Sequence, residues 1–115
     1  MANDFKNAIA QNVSNAAGGT TLYTTPATKT SIMLELDIAN TTQNVVEASV
    51  EILDSSVSSS AWRYLVKNAP VPAGSSLMVI AGQKIVLEAG DKVRVTSSAA
   101  SVMDAVAAIL EDVNS

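Results

Sequence analysis

The 115 residues include no His and no Cys. These are the side chains that most often serve as general base, thiol nucleophile or zinc ligand near neutral pH. A Ser-Lys nucleophile remains chemically possible, but no lysine lies within an apolar stretch that would turn it into a base. The residue types therefore predict a protein that is not an enzyme and that uses no cofactor.

Four acidic residues are the remaining candidates for chemistry, and they alternate with apolar ones: Glu35, Asp37, Glu47 and Glu51. If their strands were adjacent, the carboxylates could offer Ca²⁺ the oxygen ligands that it prefers. The alternative is an acidic sheet face in contact with solvent. The second interpretation is favoured, and no metal site is predicted.

Five residues are candidates for binding rather than catalysis. Trp62 and Tyr64 are two positions apart and so share one face of a strand, where they could stack on a sugar, anchor a protein interface or pack in the core. Phe5, Ile9 and Val13 recur every fourth residue, as on one stripe of a short helix. That stripe either docks onto a neighbouring subunit or belongs to a frayed terminus.

Composition indicates how these residues are positioned. Hydrophobic residues make up 48% of the chain but aromatic ones only 3%, so Val, Ile, Leu and Ala fill the core and favour strands. Charged residues are 16%, below the roughly 25% of ordinary domains, which predicts surface buried against partners. The net charge of −4 opposes nucleic-acid binding, no apolar run is long enough to cross a membrane, and no secretion signal is recognised.

Alternation of apolar and polar residues predicts strands from residue 30 onward. Two sets are expected to face inward: Ile32, Leu34, Leu36 and Ile38, and then Val46, Ala48, Val50 and Ile52. Turn-forming residues at 40–44 separate the two sets. The two segments are therefore predicted to form an antiparallel pair.

Further connections are predicted from Pro, Gly and Ser. A serine-rich loop is expected at 55–60, a proline-containing connection at 68–74, and a turn at 81–83 after a strand at 76–80. Residues 84–87 and 92–96 flank Gly90 and predict a hairpin. The segment 102–113 fits either a capped helix or a strand.

These elements predict one domain. We expect an all-β, single-domain antiparallel β-sandwich or jelly roll of about 7–8 strands over residues 22–115, because short strands recur at regular spacing. Residues 1–21 are expected to form an extended or short-helical N-terminal arm.

Five segments resemble the small virion structural proteins, of decoration type, of tailed bacteriophages. They are LYTTPATKTSI at 22–32, DIANTT at 37–42, VPAGSSL at 71–77, LEAGDKVRV at 87–95 and SSAASVMDAVAAILE at 97–111. The family has Val where Thr25 stands and Gly where Thr28 stands. The resemblance covers roughly residues 20–111, favours a strand at the C-terminal end, and brings no catalytic residue.

The resemblance implies a capsid decoration or cement protein, located in the virion and assembled in the host cytoplasm. Its expected partners are copies of itself, with a trimer favoured, and the major capsid protein or other virion proteins. One alternative is a structural protein of the tail, neck or fibre attachment. An alternative of another class is a carbohydrate- or host-binding module that uses Trp62 and Tyr64.

Overall fold

The computed structural model describes residues 4–16, 18–55 and 62–111. Within these ranges the chain is all-β, with eight strands and no helix. The strands are β1 (Asp4–Ala10), β2 (Thr20–Thr24), β3 (Ser31–Asn40), β4 (Val46–Leu53), β5 (Trp62–Val71), β6 (Ser76–Leu87), β7 (Lys92–Ser97) and β8 (Met103–Glu111). None of the described residues lies in a helix that is long and apolar enough to cross a membrane.

The strands form two antiparallel sheets. The first sheet has the order β1-β8-β3-β6, and the second sheet has the order β2-β7-β4-β5. The pairing is nested around the β4–β5 hairpin: β3 pairs with β6, β2 with β7, and β1 with β8. All connections between consecutive strands except the β4–β5 hairpin cross from one sheet to the other. Most pairings therefore join residues far apart in the sequence.

One hydrophobic core draws on both sheets. Its largest fully buried side chains are Met33, Leu36, Ile38, Ile80, Leu87, Met103 and Ile109 from the first sheet, and Val50, Val71, Val93 and Val95 from the second. Val13, in the connection between β1 and β2, is also fully buried. The expected filling by aliphatic residues is therefore confirmed.

The predicted inward face of β3 is wrong in its first half. Met33, Leu36 and Ile38 are buried, whereas Ile32 and Leu34 are only half-buried. The pairing register shifts between Met33 and Glu35. One extra residue in a strand reverses the alternation on one side of it relative to the other. Since Leu36 and Ile38 face the core after the shift, Ile32 before the shift faces outward.

The predicted β3–β4 pair and the hairpin at 84–96 are also wrong, because in each case the two strands lie in different sheets. Turn-forming residues specify that the chain reverses, but not which sheet it enters. The amide of Asn40 donates to the backbone oxygens of Asn44 and Val71. Asp91 accepts from the backbone N–H of Ser55, which fixes the connection 88–91 against the end of β4.

Two further connections differ from expectation. Residues 81–83 lie within β6, not in a turn, and Pro70 lies within β5. Gly in a strand marks a bulge as readily as a turn, and Pro is tolerated in an edge strand such as β5. The serine-rich loop predicted at 55–60 lies outside the described residues apart from Ser55.

The N-terminal segment is extended where it is described, and the helical alternative for residues 4–10 is wrong. They form β1, which pairs with β8 in register from Asp4 opposite Glu111 to Ala10 opposite Ala105. A spacing of four residues places Phe5 and Ile9 on one face of a strand as well as on one face of a helix. The open question at the C-terminal end is answered for residues 103–111, which are the strand β8.

Candidate functional site

The outer face of the first sheet carries two rows of apolar side chains. Residues directly opposite each other in neighbouring strands project to the same face of a sheet. The register gives one row of Phe5, Leu110, Ile32 and Val86, and a second row of Ile9, Val106, Asp37 and Met78. We call this surface the apolar face.

The apolar face is exposed to solvent. Its five most exposed apolar side chains have 44% to 76% of their surface accessible: Phe5, Ile9, Met78, Val86 and Val106. They make up five of the seven large apolar side chains that are exposed among the described residues. Exposed apolar residues are ordinary when scattered, but a contiguous group marks an interaction surface.

Two carboxylates lie within the apolar face, on the interior strand β3. Glu35 is exposed and Asp37 is half-buried. The Asp37 Oδ1 atom is buried and has no hydrogen-bond partner in the described part of the chain. The face therefore combines its apolar side chains with two carboxylates on the interior strand β3.

Met78, Val86 and Val106 were not predicted as site residues. A signal for Val106 exists in the sequence, because β8 has apolar residues on both faces: Val106, Ala108 and Leu110 alternate with Ala105, Ala107 and Ile109. A strand that is apolar on both faces is typical of a sheet covered on both sides. Within the described residues, only the inner side of the first sheet is covered.

Trp62 and Tyr64 lie at the opposite side of the molecule, on the edge strand β5. The Arg94 guanidinium stacks on the Trp62 ring at 3.8 Å and forms a two-pronged ion pair with Glu51, with N–O distances of 3.0 and 3.1 Å. Tyr64 is 52% exposed, and the Lys67 ammonium lies 5.2 Å from its ring centre. Neither aromatic ring belongs to the buried core.

A buried polar cluster connects the two sheets. The Tyr23 hydroxyl donates to Glu111 Oε2 at 2.5 Å and lies 2.8 Å from Ser31 Oγ. Lys6 Nζ lies 3.2 Å, and Lys29 Nζ 3.9 Å, from Glu111 Oε1. Because Tyr23 belongs to the second sheet while Ser31 and Glu111 belong to the first, the cluster fastens one sheet to the other.

The cluster shifts the ionisation of its members. Burial, followed by the hydrogen bond to Glu111, raises the pKa of Tyr23 to about 12. The hydrogen bond from Tyr23 and the positive charge of Lys6 lower the pKa of Glu111, against the opposing effect of burial. The hydroxyl is therefore held neutral and the carboxylate ionised, which is the arrangement of a structural hydrogen bond to a charged acceptor.

The four acidic residues considered for Ca²⁺ are not brought together. Glu35 and Asp37 lie in the first sheet, whereas Glu47 and Glu51 lie in the second. A different acidic group is formed by Asp54, Glu88 and Asp91, whose nearest carboxylate oxygens lie within 4.8 Å of one another. In that group Asp91 accepts hydrogen bonds from the backbone N–H groups of Ser55 and Glu88, which is a loop-fixing role.

The structure divides the five predicted binding residues. Phe5 and Ile9 lie on the apolar face, Val13 lies in the core, and Trp62 and Tyr64 lie on β5 of the second sheet. The predicted stripe of Phe5, Ile9 and Val13 is wrong, because the chain turns at Asn12, which has a φ of 56°. No protein family, curated protein or solved structure matches this chain.

Proposed function

We propose that this chain is a non-enzymatic structural protein of a tailed-phage virion, and that it acts as a capsid decoration or cement protein. The observation that carries the proposal is the apolar face around Phe5, Ile9, Met78, Val86 and Val106. Monomeric proteins rarely expose contiguous apolar patches larger than a few hundred Å². Burial of this face against other subunits is the function that we propose for it.

The size of the apolar face supports assembly. Four strands spaced about 4.8 Å apart, with a length of about 30 Å for the nine residues of β8, give a flat area of about 600 Å². Side-chain relief increases this area toward the ~800 Å² that each partner contributes to a stable protein interface. The apolar face is thus large enough to form a stable interface with one neighbouring subunit.

The strand order supports the same proposal. The nested pairing of β1 with β8, β2 with β7 and β3 with β6 corresponds to the double Greek key of an eight-stranded jelly roll, an architecture that recurs in viral capsid domains. We propose that the chain has this jelly-roll fold and forms a homotrimer. We further propose that the trimer binds the major capsid protein or another virion protein. Neither nucleic acid nor membrane is a proposed partner.

Quantitative mass spectrometry of purified virions tests the proposal. We expect the protein in the particles at a copy number comparable to that of the major capsid protein. A low copy number would instead indicate the tail, neck or fibre attachment. Absence from purified virions would refute a structural role.

Carbohydrate binding is the candidate of another class, and the exposed Tyr64 ring is the observation that favours it. Arg94 already covers one face of the neighbouring Trp62 ring, which leaves less aromatic surface for stacking on a sugar. A glycan array with the wild type and a Trp62→Ala variant separates the candidates. A glycan signal that disappears in the variant would support the binding module.

A further inference from the structure

The first strand, β1, contributes little to the core of its own chain. The side chains from Asp4 to Asn7 are exposed, and of the residues of β1 only Ala10 is buried. β1 lies at the edge of the first sheet, and its pairing partner among the described strands is β8. Backbone pairing, rather than core packing, therefore holds β1 against the rest of the molecule.

The residues that follow β1 provide a hinge. Gln11 and Asn12 are exposed, and Asn12 has a φ of 56°, a left-handed conformation that is uncommon for residues other than Gly. The N–H of Asn12 donates to Asp104 Oδ1 in an exposed hydrogen bond, which water can replace. Val13, in contrast, is fully buried, and its N–H donates to the carbonyl of Met103. A backbone change at residues 11–12 therefore redirects β1 while Val13 keeps its place.

The edge of β8 that β1 covers requires specific groups. Glu111 is 3% exposed, and the Lys6 ammonium lies 3.2 Å from its Oε1 atom, whereas the Lys29 ammonium lies 3.9 Å from it. A buried carboxylate that loses its nearest positive charge is strongly destabilised. Phe5 lies opposite Leu110 on the apolar face. Since β1 of every copy carries Lys6 and Phe5 at the same positions, β1 of any copy fits this edge in the same register.

We infer that copies of this chain exchange β1, so that β1 of each copy pairs with β8 of the next copy. The inference rests on the self-assembly proposed above and names a contact that joins the subunits. The pairing keeps its register, and Lys6 of one copy completes the buried cluster around Glu111 of another. Exchange of an identical element needs no new complementary surface, because the contact already exists within one chain.

Assembly favours the exchanged arrangement. An extended hinge at residues 11–12 removes the left-handed conformation of Asn12 and leads β1 away from its own chain. The exchange places Phe5 and Ile9 of one copy on the apolar face of the next, so that two chains form each face. Three copies that pass β1 around a three-fold axis form a closed ring in which every β8 edge is covered.

A pair of engineered cysteines tests the inference in the full-length protein, which contains no Cys of its own. The double variant Asn7→Cys with Ala108→Cys places two thiols opposite each other in β1 and β8. Opposite residues of antiparallel strands have Cα atoms about 4.5–5.5 Å apart, which is within the range of a disulfide. The matched control is Ile32→Cys with Val86→Cys, an opposite pair on the same face in β3 and β6. Circular dichroism checks that both variants are folded.

Each variant is refolded under reducing conditions, at a concentration at which sedimentation velocity shows the wild-type oligomer, and is then oxidised. On a non-reducing denaturing gel, we expect most chains of the β1–β8 variant at two or three times the mass of one chain. The control should stay at the mass of one chain, because β3 and β6 are not exchanged. Joint refolding of the single variants Asn7→Cys and Ala108→Cys should give a disulfide that joins one chain of each kind.

The possible failures are distinct. A wild type that stays monomeric at millimolar concentration would overturn both the inference and the proposed self-assembly. An oligomeric wild type whose β1–β8 variant cross-links only within single chains would refute the exchange, while self-assembly through other surfaces would stand. If the first cysteine pair does not fold, Ile9→Cys with Val106→Cys, the next opposite pair on the same face, gives the same two readings.

Discussion

Replacing Tyr23 by Phe removes a single hydroxyl from the cluster that fastens the two sheets together. That hydroxyl donates to Glu111 Oε2 at 2.5 Å, and Glu111 is only 3% exposed, so water has little access to replace it. A hydrogen bond to a charged group contributes about 1.5–3 kcal/mol, and a buried acceptor left without a donor costs a similar amount. Since Lys6 remains 3.2 Å from the other carboxylate oxygen, we expect a loss of about 2–3 kcal/mol.

The assay is urea and thermal unfolding followed by circular dichroism at one fixed protein concentration. For a domain of this size, each kcal/mol shifts the midpoint by about 4 °C, so Tyr23→Phe should melt about 8–12 °C lower than the wild type. Tyr64→Phe is the matched control, because it deletes the same hydroxyl from an exposed ring, where changes stay within about 0.5 kcal/mol. Equal losses in the two variants would refute the structural role of the cluster.

The alkaline limb of stability gives an independent test of the same contact. The pKa of Tyr23 is raised from 10.0 to about 12 in the folded state. Because the pKa is raised on folding, the neutral Tyr23 hydroxyl contributes its full stabilisation of the folded state below pH 10, and this stabilisation is lost as the pH rises through about 12. The free energy of unfolding of the wild type should therefore fall more steeply between pH 10 and 12 than that of Tyr23→Phe. Parallel curves would contradict the assignment.

Three further predictions concern single side chains. Glu111→Gln should be less stable than the wild type at pH 7 and should lose less stability on acidification. Because the pKa of Glu111 is lowered in the folded state, its ionised carboxylate stabilises the fold above pH 4.5, and this stabilisation is lost as the pH falls through the folded pKa. Urea unfolding at pH 7 and pH 3 measures both effects. Asn40→Ala should cost about 2–4 kcal/mol, because the buried amide donates to two backbone oxygens, whereas Asn44→Ala, which retains the backbone acceptor, should cost less than about 1 kcal/mol in the same assay. Gly19→Ala should cost more than about 2 kcal/mol, because its φ is +55° and an added Cβ would lie 2.3 Å from a backbone oxygen of β7. Gly74 has a φ of +64°, but an added Cβ would meet nothing within 4 Å. Gly74→Ala should therefore lower the free energy of unfolding by only about 1 kcal/mol, the cost of holding Ala at a positive φ.

The residues themselves determined the all-β character of this protein. Period-two alternation placed Val46, Ala48 and Val50 on the inner face of β4, and all three are buried. Alternation is a local property, set by the geometry of each strand. The positions of the reversals near residues 40–44 and 88–91 were equally local, since Asn, Asp and Gly adopt turn conformations through their own backbone preferences.

Only the tertiary structure decided which strands became neighbours. The β1–β8 pairing joins Phe5 to Leu110, and no local preference can encode a contact across so much of the chain. The register shift near Leu34 was likewise hidden, because a bulge depends on the partner strands and moves Ile32 from the predicted core to the outside. One inserted residue reverses the face of everything before it.

The same distinction applies to the candidate site. The sequence identified Phe5 and Ile9 as candidates for an interface, but it assigned them to a helical stripe with Val13. The sheet instead placed Ile9 opposite Val106 and Phe5 opposite Leu110, with Val86 and Met78 on the same face at the far edge strand β6. The apolar face is formed by side chains from four strands that are distant in sequence, so it exists only after those strands have paired.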